Sequence, residues 1–160
     1  MKLTKCLIFK INNQKFAIRT SMVFNIVEKP RLIKAEYLKP YEKAKFSFRG
    51  MIIPLLDFRK ILGLSSDKEI QSQSILIVEL KINGYPELVG ISIDEVIEVS
   101  DVDDILSYPY CSVTVGKECT LRETIIIKHG EPIIMIDTSK IISEKVFDQK
   151  TDKLLIAMAN

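Results

Sequence analysis

Nothing in the chain comes near the ~18 consecutive apolar residues that a membrane-spanning helix needs. The opening stretch, MKLTKCLIFKINNQKFAI, alternates in polarity and carries Lys5, Lys10 and Lys15, which excludes the apolar region of a signal peptide. A cytoplasmic protein without membrane insertion is the expectation. Cysteine is scarce: Cys6, Cys111 and Cys119 are odd in number and have no CxxC spacing. Reduced, mostly buried thiols are therefore expected, not a metal or redox site. His129 is the single histidine, and no nucleophile motif surrounds any cysteine, which argues against Cys–His catalysis. Excess charge is also missing. Lys plus Arg number 23 against 21 Asp plus Glu, a net charge of +2 spread along the chain, so no nucleic-acid footprint is present.

What the sequence holds instead is a dense set of short β segments. Apolar residues make up 47% of the 160 positions and charged ones 28%, the balance of one globular domain or of two subdomains sharing a core. KCLIFKI, KFAIR, VFNIVE, KFSFRGMIIPLL, ILIVELKI, ELVGISI, EVIEV, TIIIK and PIIMI are β-branched or aromatic and largely of period two. INNQK (11–15), INGYPE (82–87) and KHGEP (128–132) read as hairpin turns, because Asn and Gly tolerate positive φ. Two short helices are expected: FRKIL, capped by Asp57, and SKIISEKVF, capped by Asp137 or Thr138. The polar segment SSDKEIQSQS (65–74) reads as a linker, and the tail KLLIAMAN is apolar enough to pack.

The halves repeat in order. GMIIPLLDFRKIL (50–62) aligns without a gap over GEPIIMIDTSKII (130–142), Asp57 falling on Asp137 and Lys60 on Lys140. AIRTSMVFNI (17–26) aligns over GISIDEVIEV (90–99), Ile18 falling on Ile91 and Val23 on Val96. Two ordered matches flanking one polar linker indicate an internal duplication, each half with about five short strands. Such a half is marginal alone, so two barrels packed together are favoured.

Asp57 and Asp137 are read as helix caps and not as a carboxylate pair. The acidic run Asp94, Glu95, Glu98, Asp101, Asp103 and Asp104 lacks the ligand spacing and glycine of a calcium loop and is read as a solvated face. Val23, Ile26, Met51 and Ile53 are core candidates. Arg49, just before the apolar run MIIPLL, must either find acceptors or lie exposed, since its charge cannot be buried unpaired.

FRGMIIPLLDFRKILGL resembles the N-L-R-G-x-(I/V)-(I/V)-P-(I/V)-x-D-L-R pattern of the CheW family of chemotaxis adaptors, and LVGISIDEVIEV is similar to its G-(I/L)-x-V-D-x-V-x-E-V segment. The resemblance implies an all-β fold with short helices: two intertwined SH3-like five-stranded β-barrels with an apolar groove between them. It implies a first barrel over about 14–66 and a second built from about 1–13 and 67–160. It also implies a non-enzymatic adaptor without cofactor or metal, joining chemoreceptor cytoplasmic tips to the regulatory domain of a CheA-type histidine kinase. Val23, Asn25, Ile26, Arg49 and Gly50 would form its receptor-binding site. The chain departs from the family pattern at Ala44, Ser47 and Asn25, which stand where glycine, asparagine and glutamate are usual, and RETIIIK lacks a usual glycine. A diverged adaptor in a non-chemotactic pathway is the alternative these departures raise.

Overall fold

The computed structural model describes residues 3–34, 36–38, 42–61, 74–82, 85–103, 107–109, 113–115, 119–121 and 124–136. In chain order these form β1 (Leu3–Ile11), β2 (Gln14–Arg19), a 3-10 turn (Thr20–Met22), β3 (Val23–Glu28), β4 (Leu32–Ile33), β5 (Glu42–Phe48), β6 (Met51–Leu56) and a one-turn helix α1 (Phe58–Ile61). The second half follows with β7 (Ser74–Ile82), β8 (Tyr85–Ile93), β9 (Glu95–Asp103), β10 (Ser107–Pro109), β11 (Val113–Val115), β12 (Cys119–Leu121), β13 (Thr124–Lys128) and β14 (Glu131–Ile136). Every period-two segment read from the sequence but one lies within a single strand. Asp57 directly precedes α1, which is a single turn. The expected second helix with Asp137 and Thr138, most of the 65–74 linker, Cys111 and the C-terminal tail lie outside the described residues.

KFSFRGMIIPLL is two strands, not one. Arg49 and Gly50 have φ of +47° and +78° and form a two-residue turn, so β5 folds back on β6 with Phe48 opposite Met51. Both residues are left-handed, as hairpin turns that match strand twist require, and glycine adopts that geometry without steric cost. Asn12–Asn13 turn β1 into β2 in the same way, and His129–Gly130 turn β13 into β14. Ile82 and Tyr85 are the last paired residues of β7 and β8 in the register.

The strands form two six-stranded sheets, each of five longer strands and one short edge strand, plus the separate β11–β12 pair. Their orders are β4-β5-β6-β8-β7-β3 and β10-β13-β14-β2-β1-β9. Laid side by side, these match strand for strand, and the match carries the duplication. β6 and β14 share one pattern of exposure along their length. Leu55 and Leu56 run parallel to Gly90 and Ile91, while Met135 and Ile136 run parallel to Ala17 and Ile18. A β-bulge skips Phe24 where β3 meets β7, and another skips Ile97, its aligned counterpart, where β9 meets β1.

The match also shows an exchange. The leading hairpin of the first half, β1–β2, completes the sheet of the second half, and β7–β8 completes the sheet of the first. In the sheets β2 lies beside β1 and β14, while β7 and β8 lie with β3–β6. Successive side chains of a strand point to opposite faces. Along β7, Ile75 and Ile77 enter the first barrel with Phe46, Ile53 and Leu55. Leu76, Val78 and Leu80 point the other way, into a central core shared with Leu7, Phe9 and Ile11 of β1. Cys6 and Ile8 of β1 enter the second barrel with Ala17, Ile126 and Ile133. Each fully buried side chain of this kind contributes roughly 1.5–3 kcal/mol relative to exposure.

Gly90 tests the repeat. A Cβ there would lie 2.5 Å from Phe46 and 2.8 Å from Ile75, both fully buried. Its counterpart is Ala17, clustered with the smaller Cys6 and Ile126. Gly90→Ala should destabilise the protein by about 1–3 kcal/mol through overpacking. In a Phe46→Ile background, which restores the second barrel's combination, the same change should cost clearly less. Urea denaturation of the four proteins of this cycle measures the difference.

Candidate functional site

A curled sheet must close between strands that are not hydrogen-bonded neighbours, and the two barrels close with different chemistry. In the first, Phe24 on β3 meets Phe48 at the end of β5 edge to face, ring centroids 6.4 Å apart. The register puts Phe46 and Ile53 opposite each other and Phe48 and Met51 opposite each other, all on the inward face. Phe46 and Ile53 are buried, whereas Phe48 is half-buried and Met51 is 40% exposed, so this apolar column runs out to an open end. The Arg49 guanidinium lies over the Phe48 ring, 4.9 Å from its centroid. At that distance the ring's negative face attracts the cation.

The sequence-derived residues lie on β3 and in the turn between β5 and β6. Arg49 and Gly50 are the exposed turn, not a buried strand mouth. Val23 is half-buried against the central core, and Ile26 is 39% exposed. The Asn25 Oδ1 accepts the Ile26 N–H at 2.7 Å, so its carbonyl is turned to its own strand while Arg49 sits on the aromatic ring. The contact shown for Arg49 is with an aromatic ring. Sequence reasoning missed Phe24 and Phe48. Their signal was an aromatic at an outward position of VFNIVE and a second one beside a turn.

The aligned end of the second barrel is ionic. Phe48 becomes Lys128, Met51 becomes Glu131, Leu88 becomes Lys15, Asn25 becomes Glu98 and Arg49 becomes His129. Lys128 Nζ lies 2.6 Å from Glu98 Oε1 and also donates to Ser100 Oγ; Lys15 Nζ lies 2.7 Å from Glu131 Oε2. The hydrogen bond from Lys128 holds the Glu98 carboxyl below the ordinary carboxylate range, and that from Lys15 does the same for Glu131. These groups line a cleft of about 170 Å³ floored by Ile8, Ile97 and Ile133.

The buried arginine is Arg59, on α1, at 4% exposure. It donates to Asn12 Oδ1 at 2.8 Å and pairs with Asp94 Oδ1, while Asp94 Oδ2 accepts the Asn12 N–H at 2.8 Å. The Asp94 N–H in turn donates to the Lys10 carbonyl at 2.9 Å. The network ties α1 to the β1–β2 turn and to the junction of β8 with β9. Asp94 is thus a structural partner, and Glu98 of the same acidic run belongs to a barrel seam. Among the described residues no group of three or more His, Cys, Asp or Glu could hold a metal ion, and no helix is long and apolar enough to cross a membrane. His129, the candidate partner of a cysteine, sits in electrostatic reach of Glu98 and Glu131.

Comparison with known proteins gives a consistent picture. Residues 5–146 match the family model described as the CheW-like domain. Chemotaxis protein CheW of Thermotoga maritima is 27% identical over 145 residues, spanning 90% of this chain and 91% of its own. The scaffolding protein TtCheW from Thermoanaerobacter tengcongensis has the same fold of SH3-like barrels, with a TM-score of 0.75 and 21% identity over 91% of this chain and 96% of that one.

Asp94→Asn should destabilise the protein by roughly 3 kcal/mol, the low end for opening a buried pair from one side, because Asp94 is itself 32% exposed. Adding Arg59→Met should recover part of that loss in urea denaturation. The lowered Glu98 and Glu131 carboxyls contribute stability that is present above their ordinary value of 4.5 and lost as pH falls through their folded values. Glu98→Gln should therefore flatten the fall of the urea midpoint between about pH 5 and pH 3.

Proposed function

Because the chain belongs to the CheW-like family, whose domain it matches over residues 5–146, we propose that this scaffolding adaptor couples chemoreceptor cytoplasmic tips to the regulatory domain of a CheA-type histidine kinase. In this reading it works in the cytoplasm, carries no chemistry of its own and needs no cofactor. The relatives named as a chemotaxis protein and as a scaffolding protein support the pathway. One observation supports the site: Phe24 of β3 meets Phe48, on whose ring Arg49 lies, so β3, the strand that carries Val23, Asn25 and Ile26, comes beside the Arg49–Gly50 turn.

The chemistry of that end suits a helical receptor tip. Phe24 is 50% exposed and Met51 40%, so an amphipathic helix can bury an apolar stripe on them. Arg49 is exposed, and its charge beside that stripe suits an acidic side chain at the stripe's border. Asn25 stands where the family pattern carries glutamate, so it brings no charge to compete for the arginine. A diverged adaptor in a non-chemotactic pathway would use the same surface, and partner identity separates the two.

Calorimetry with a receptor cytoplasmic tip and a kinase regulatory domain from the same cell tests the reading. Saturable binding to both is expected at tens of micromolar, and no heat with either would overturn it. Phe24→Ala should weaken receptor binding by about 2 kcal/mol or more, roughly thirtyfold. Arg49→Asn keeps a residue that tolerates the left-handed turn but removes the guanidinium. It should leave the fold and kinase binding intact and weaken receptor binding. Asn25→Glu should pull Arg49 off Phe48 and change receptor preference without unfolding the chain.

A further inference from the structure

The open end of the first barrel carries a second charge besides Arg49. Along β7, Ile75 and Ile77 enter the first barrel, and strand alternation puts Glu79 on the same face. Glu79 pairs in register with Leu88, which packs against the first-barrel cluster as Phe48 does. β6 and β8 run parallel with Leu55 beside Gly90, so Leu88 and Glu79 lie toward the Met51 end of β6. Met51 is opposite Phe48, so this is the end where Phe48 meets Phe24.

Strand order sets where the two charges stand. Going round from the β5–β6 turn, β8 comes before β7 on one side. On the other side β3 does, since Phe24 brings β3 up to Phe48 of β5. Arg49 and Glu79 therefore stand across the open end from each other, with Phe24, Phe48, Met51 and Leu88 between. Both are exposed. No ion pair joins them, and among the described residues no cation pairs with Glu79. Lys10 faces Lys15 as Glu79 faces Leu88, so lysine holds the aligned position in the second barrel. The unpaired carboxylate belongs to the first barrel alone.

We propose that Glu79 is a specificity-determining residue of this end, selecting a partner helix with charges of opposite sign at the two borders of its apolar stripe. A Lys or Arg of that helix meets Glu79, and an Asp or Glu meets Arg49. β6 and β7 stand two strand spacings apart, roughly 10 Å, and two turns of a helix advance about 10.5 Å. Residues i and i+7 of the partner thus span the two charges, with apolar i+3 and i+4 over the aromatic rings. A helix with one sign of charge at both borders would set like charges together at one of them, which costs affinity. This role rests on the reading of the first-barrel end as the receptor site and adds the charge pattern of its occupant.

Calorimetry with a receptor cytoplasmic tip compares the full-length wild type with Glu79→Gln and Glu79→Lys. Glu79 is exposed and the second barrel already accepts lysine at the aligned position, so urea midpoints should not move. At about 50 mM salt Glu79→Gln should weaken binding about threefold and Glu79→Lys at least about tenfold. Both gaps should narrow at about 500 mM salt, where exposed charges are screened. Each Lys and Arg of the tip is then changed in turn to Glu. One such tip should bind Glu79→Lys more tightly than it binds wild type, a reversal that a merely structural role of Glu79 would not produce. If wild type binds the tip saturably, equal or tighter binding by Glu79→Lys overturns the proposal and leaves the receptor reading standing. So does the lack of any tip variant that reverses the preference. If wild type gives no heat with the tip, the receptor reading falls and the role of Glu79 falls with it.

Discussion

Two hairpins in this protein are apolar on both faces, and the rest of the fold follows from covering them. β1 and β7 each send one set of side chains into a barrel and the alternate set into the centre of the molecule. A sheet strand solvated on one side would lose half of that burial. The exchange of hairpins supplies both covers: each hairpin completes the other half's sheet on one face and meets its counterpart on the other. The parallel pairings of β6 with β8 and of β14 with β2 are the stitches that hold the exchange. Since neither half keeps its own hairpin, the barrels share one core.

Arg59 stands where that exchange needs orientation as well as burial. Apolar packing is non-directional, but a guanidinium bonded to Asn12 and Asp94 fixes α1 against one particular turn and one particular strand junction. The aligned position in the second half is Ser139, so the latch belongs to one half of the repeat only. Duplication supplied two similar barrels, and the Arg59–Asp94 pair ties α1 of the first to the β1–β2 turn and the β8–β9 junction.

The same asymmetry appears at the open ends. One backbone plan, with matching bulges and matching left-handed turns, is closed by Phe24 and Phe48 in one barrel and by Glu98 and Lys128 in the other. An aromatic seam tolerates salt and acid, whereas an exposed ion pair is screened and titrated. Two ends built on one backbone plan thus present different chemistry.

Local pattern was enough to place the longer strands, the Asn12–Asn13 and His129–Gly130 turns, and the repeat of Gly50–Asp57 in Gly130–Asp137. Those features depend on side-chain alternation and on which residues tolerate positive φ, both properties of neighbours in sequence. The unbroken runs CLIF and ILIV lie in the strands that are buried on both faces. β4, β10, β11 and β12 escaped because two or three residues are too few to show a period. Which arginine is buried was decided only in three dimensions. Arg49 and Arg59 both flank apolar residues, yet one caps an exposed turn and the other meets an aspartate and an asparagine brought in from distant strands. The strand exchange and the Phe24–Phe48 seam were decided there too, because burial and pairing at long range depend on which surfaces remain to be covered once every strand has formed.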